Sequence, residues 1–144
     1  GMSHVIRLMK CEILNHPTDL KIRVFGKTLP EVFANAAIAV AKQQLNDTKI
    51  LRNYDIEEIT VESPDLESLL VDWLSEILYR GEVDKKIYTD FKIMEFLEKP
   101  YKIKAKIKGA PFKAKNIDIK AVTYHDLEIK KAGQTWQAIV IFDI

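Results

Sequence analysis

Residues 63–81, SPDLESLLVDWLSEILYRG, hold the pattern that decides the fold. Leu66, Leu69, Leu70, Trp73, Leu74, Ile77 and Leu78 recur at steps of three and one, which places them on one face of an α-helix. Asp72, Ser75 and Glu76 fall on the opposite face. Ser63 is expected to cap the free N–H groups of the first turn, with Pro64 at the first helical position. Asp65 and Glu67 suit the positive end of the helix dipole. Gly81 is expected to close the helix in a left-handed conformation. So wide an apolar face requires a sheet or a second helix to cover it.

Upstream, residues 11–14 (CEIL) read as a short strand and Asn15–Asp19 as a polar turn, in which Pro17 keeps His16 out of helical geometry. Leu20, Ile22 and Val24 alternate with Lys21, Arg23 and Phe25, which makes a strand ending at Gly26 and puts Asp19 at its entry. Thr28-Leu29-Pro30-Glu31 has the spacing of a capping box. The helix after it presents Phe33, Ala36, Ala37, Val40 and Ala41 on one face and ends near Leu45. Residues 46–55 form a polar connection, and Ile56–Val61 a strand.

Downstream, Gly81 leads through a charged turn to a strand from Ile87 to Glu98, whose alternation slips between Ile93 and Met94 as at a bulge. Tyr101–Lys108 alternates strictly, and Gly109, Ala110 and Pro111 are expected to break it. From Ile117 the pattern is again β, with Ile117, Ile119, Ala121 and Thr123 on one face and a kink at His125-Asp126. Lys131–Gln134 reads as a hairpin turn. Trp136–Phe142 is apolar on both faces, as suits a central, doubly covered strand. The expected fold is α+β: one domain over residues 1–144, with two helices on a mostly antiparallel sheet or sandwich of roughly seven strands.

Apolar residues make up 47% of the chain and charged ones 30%, ordinary for a globular protein, and the net charge of +1 provides no global field toward nucleic acid or membrane. The single Cys11 excludes an intramolecular disulfide and a multi-cysteine zinc site. No apolar run approaches the ~20 residues of a membrane span, and nothing near the start reads as a signal peptide, so a cytoplasmic location is expected. Gly1 before Met2 reads as a tag remnant.

The chain has no Gly-rich phosphate loop, no HExxH and no Ser, His, Asp order of a known triad. Cys11 fits a structural thiol and His4 a solvated side chain. His16 and His125 lie in turns, where a hydrogen-bonding role outweighs a catalytic one; both stay secondary candidates. Lys102, Lys104, Lys106 and Lys108 share a strand face that could meet a phosphate backbone, although a solvated face that discourages edge pairing fits as well. Asp19 and Asp143 lie at strand ends beside apolar sequence. Were those ends to meet, their oxygens, with the Ile144 carbonyl or terminal carboxylate, could share a hard cation such as Ca²⁺ or Mg²⁺. Aspartates at strand ends are more often caps or salt-bridge partners.

Lys120-Ala-Val-Thr-Tyr-His125, Leu127-Glu-Ile129 and the closing Val140-Ile-Phe-Asp-Ile144 resemble the archease family. So do His16-x-Thr18-Asp19, Gly26-Lys-Thr-Leu-x-Glu31-x-Phe33 and the Leu69–Glu76 run. The resemblance covers nearly the whole chain in order. It implies an accessory protein, not an enzyme, that activates the RtcB-type RNA ligase of tRNA splicing and RNA repair. Such a protein promotes guanylylation of the ligase's active-site histidine and sustains multiple turnover. It also implies a metal site on Asp19, Asp143 and Ile144, holding a divalent cation, calcium first or else magnesium or manganese. Lys120 would take part in activating the partner. The family commonly has an acidic residue and then His-Thr-Ala-Asp, where this chain has Asn15-His16-Pro17-Thr18-Asp19.

Two readings compete with the activator. One is an RNA-binding module, or a chaperone for RNA-modifying enzymes, that uses the Lys102–Lys108 face; RNA would otherwise be met through the ligase. The other is a metal-dependent enzyme, disfavoured because no nucleophile or general base stands beside the aspartates in sequence. Oligomeric state is not legible.

Overall fold

The computed structural model describes residues 11–15, 19–45 and 54–144. Among them are two helices and seven strands: β1 (Cys11–Asn15), β2 (Asp19–Gly26), α1 (Leu29–Gln44), β3 (Asp55–Ser63), α2 (Leu66–Asp84), β4 (Lys86–Glu98), β5 (Tyr101–Pro111), β6 (Ala121–Ala132) and β7 (Thr135–Asp143). The strands form two antiparallel sheets, ordered β1-β2-β7-β6 and β3-β5-β4. The α+β expectation therefore holds in its two-sheet form. No described helix is long and apolar enough to cross a membrane.

The helices join the two sheets. α1 packs on β1, β2 and β7 of the first sheet and on β4 of the second, while α2 packs on β3, β4 and β5 and reaches β6. One core results, in which Leu20, Ile22 and Val24 meet the expected faces of both helices, Ile103 and Ile107 of β5, and Val140 and Phe142 of β7. Trp73 is fully buried, its indole N–H donating to the Phe33 carbonyl at 3.0 Å, so the two helices are tied by a polar bond inside an apolar contact.

Thr28 caps α1 as its sequence requires, accepting from the Glu31 N–H at 3.2 Å, while the Glu31 carboxylate reaches back to the Lys27 N–H at 3.2 Å. The ends of α2 differ from expectation. Its cap is Asp65, which accepts from the Ser68 N–H at 2.7 Å. Ser63 is instead the last residue of β3, and its hydroxyl donates to Asp72 at 2.5 Å. Gly81 lies inside the helix, and the left-handed residue is Lys85, at φ 57°. A Cβ on Gly81 would stand 2.7 Å from the Lys86 carbonyl, so this glycine serves the close return of β4 and not the helix stop.

The slip between Ile93 and Met94 is a register shift of β4 against β5, and a second one lies between Tyr88 and Asp90. Gly109, Ala110 and Pro111 do not end β5; they continue it. Gly109 fits because a Cβ there would stand 2.6 Å from the Tyr88 ring. Residues 117–120 lie outside β6, so the alternation expected from Ile117 does not carry through: Val122 packs on the core and Ala121 is exposed. The kink at His125-Asp126 is a register shift between Thr123 and Glu128, with Asp126 at φ 52°. Gly133 turns the β6–β7 hairpin at φ 66°. β7 is central in its sheet, and both Phe142 and Ile141, on opposite faces, are buried.

Candidate metal and partner site

Three separate parts of the sequence converge at one end of the first sheet. β2 starts and β7 ends there, and Asp19 and Asp143 are paired on the same rung of the ladder. Opposed residues of an antiparallel pair project from the same face, with Cβ atoms roughly 5 Å apart. Leu20 and Phe142 turn into the core, so both carboxylates leave from the other face. Ala121 faces Asp143 from β6, and the Lys120 N–H donates to the Asp143 carbonyl at 2.8 Å. The start of β6 is thereby fixed against the end of β7, and the lysine is anchored beside the aspartates.

The donor set fits a hard cation. Asp19 Oδ1 is buried and accepts no hydrogen bond, and it lies on the rung that carries a second carboxylate. An unsatisfied buried acceptor costs free energy, and like charges directly opposed on a ladder repel. A divalent ion held by oxygen ligands relieves both. Ile144 follows Asp143 directly and can add its carbonyl oxygen. Among the described residues no group of three or more His, Cys, Asp and Glu side chains comes together, so the protein side chains at this rung number two carboxylates.

His125 is not at this end. It sits on the outward excursion of β6 with its Nε2 at 3.3 Å from Asp126, both exposed. His16 lies outside the described residues.

The connection from Pro111 to Ala121 is held to the end of α1 by a bridge between Leu45 and Lys115 and by the Asn116 N–H donating to the Gln44 carbonyl at 2.9 Å. Against α2 it leaves a cavity of about 450 Å³, lined by Lys115, Ile119, Lys120, Leu78 and Tyr79 among others. The Lys115 ammonium lies 3.3 Å from Glu82, whereas Lys120 is exposed on the cavity's rim.

The lysine row of β5 is interleaved with acids. Lys102 pairs with Glu95 at 3.5 Å and Lys104 with Glu58 at 3.3 Å, while Lys108 covers the Tyr54 ring at 4.3 Å. Such a face projects a weak field toward a polyanion. Sequence reading missed the network at the far end of α2. Arg80 binds Glu57 at 2.8 Å and Glu76 at 2.6 Å, and the buried Tyr88 hydroxyl donates to Glu57. Bonding to Glu76 first, and then Glu57, raises the Arg80 pKa. Burial first, and then the Glu57 bond, raises that of the Tyr88 phenol. Lys86, held at 2.5 Å by Asp55, is raised as well.

The model of the Archease protein family (MTH1598/TM1083) matches residues 11–144. The chain is 44% identical to a protein archease of Methanosarcina barkeri, over 92% of this chain and 94% of that one. It is similar to the solution structure of protein 1598 of Methanobacterium thermoautotrophicum, with TM-score 0.75 and 26% identity over 94% of this chain and 99% of that one. A crystal structure described as an archease, possible chaperone, from Thermotoga maritima shares the fold, with TM-score 0.69 and 17% identity over 92% and 96% of the two chains.

Proposed function

The chain belongs to the archease family, and on that premise we propose that it is a non-enzymatic activator of an RtcB-type RNA ligase. The observation that carries this reading is the Asp19–Asp143 rung with Lys120 anchored to it. Asp19 and Asp143, with the Ile144 carbonyl, would hold a divalent cation, calcium in the first instance. Such an ion, when bound, supplies positive charge toward a phosphate oxygen. Lys120 adds a second positive charge on a long, mobile stem from a backbone fixed at its amide. The two strands that carry the aspartates run back into the apolar core, so the tip is held rigidly and can be presented to a partner's nucleotide site as a unit. The role fits promotion of the partner's own guanylylation.

Single variants test the proposal. Lys120→Ala and Asp143→Ala should lose ligase activation while still folding, because both side chains are exposed. Full activation by both would remove the tip from the mechanism. The RNA-binding alternative predicts instead that reversing the charge of Lys102, Lys104, Lys106 and Lys108 is what abolishes function. The acids interleaved with that row argue against it.

A further inference from the structure

Among the described residues the two sheets have four edge strands. β1 is described over five residues, β4 carries two register shifts, and β6 has its large excursion. β3 differs: it runs in unbroken register with β5 from Asp55 to Ser63, and no described strand pairs with its other side. A straight edge presents a row of free N–H and C=O groups to any extended segment of suitable chemistry.

A cavity of about 450 Å³ opens at this edge. Thr60, Val61 and Glu62 all line it, facing Asp72, Ser75 and Tyr79 of α2. Consecutive strand residues point to opposite faces, so three in a row can border one cavity only from the strand's side. Ser75 and Tyr79 also line the cavity that holds Lys120. The two cavities share these lining residues, and together they make a trough beside α2 from the β3 edge, past Tyr79, which is 65% exposed, to Lys120.

The edge is acidic. β3 carries Asp55, Glu57, Glu58 and Glu62 and no basic residue. Lys86, Arg80 and Lys104 pair with the first three, while Glu62 has no ion pair among the described residues. Asp72 across the cavity is bonded to the Ser63 hydroxyl and has no ion pair among the described residues. Glu62 faces Lys102 on the ladder, but that ammonium lies 3.5 Å from Glu95, so this end keeps an acidic bias that repels a second β3 edge and complements lysine or arginine.

We propose that this trough docks an extended, basic segment of the partner ligase, which pairs with the free edge of β3 and aligns the Lys120 tip with its target. The assignment rests on the activator reading above. The test measures the affinity of the ligase for the wild-type chain and for the Glu62→Lys/Tyr79→Ala variant across a salt series, with hydrogen exchange of the wild-type complex. The variant should bind at least tenfold more weakly and with a shallower salt dependence. It should recover full activation when added in excess, and the amides of residues 60–62 should become protected in the wild-type complex. If the double variant does not fold, Glu62→Lys alone should reproduce the loss at low salt. Unchanged affinity in the variant with no protection of residues 60–62 would overturn the docking site and leave the activator reading standing. Protection of these amides by RNA alone would also overturn it. A wild-type chain that neither binds nor activates the ligase would overturn both.

Discussion

Asp19 and Asp143 put like charge on the same rung of a β-ladder, with one carboxylate oxygen buried and unbonded. The protein should therefore unfold at a higher temperature when calcium is added, because only the folded state brings the two carboxylates together. Asp19→Asn should remove that calcium response and, without divalent ions, stabilise the fold by about 0.5–1 kcal/mol. Calorimetry with calcium and with chelator reads both effects. Tyr88 gives a second residue-level prediction. Its ordinary pKa of 10.0 is raised in the folded state by burial and by Glu57. Its contribution is complete below pH 10 and is lost as pH rises from there toward the folded value, since only the unfolded phenol ionises in that interval. Denaturant midpoints should fall above pH 10, and Tyr88→Phe should flatten the fall. Each aspartate was legible as a carboxylate at a strand end. Their meeting was implied only by the family resemblance and not by the local pattern, because it depends on pairing between β2 and β7, which lie far apart in sequence.

At the scale of elements, α2 shows where local patterns suffice and where they do not. Its apolar face was readable because the helical period alone specifies it, and Leu69, Leu70, Trp73, Leu74 and Ile77 are buried as expected. Its ends were misread because Ser63 and Gly81 serve neighbours that the helical period does not specify: Asp72 across the strand end, and the returning β4. Gly81→Ala separates the two roles. Alanine is a better helix former by about 1 kcal/mol. The clash, however, is with a backbone carbonyl that cannot move without shifting β4, and forced insertion costs about 1–3 kcal/mol. The variant should therefore be destabilised, by about 1 kcal/mol or more in urea unfolding. Asp65→Ala should cost about 1 kcal/mol through loss of the cap. An aromatic at residue 79, in line with the polar Asp72, Ser75 and Glu76, was the unused signal for the trough beside α2.

For the molecule as a whole, the α+β class followed from two amphipathic helices and a run of alternating segments. The division into two sheets joined by the helices did not, since strand order is set by long-range contacts that no single segment encodes. The core they share makes the tip rigid. Trp73→Ala should cost about 3–5 kcal/mol, and it would also leave the buried Phe33 carbonyl without its donor. The activator account nevertheless depends on a partner. Its most direct test is RNA ligation by the RtcB-type ligase from the same source, at limiting enzyme, with and without this chain. The account predicts that product rises from about one equivalent per ligase to many, in step with the guanylylated fraction of the enzyme. A competent ligase whose turnover and guanylylation are the same with and without the chain would contradict it.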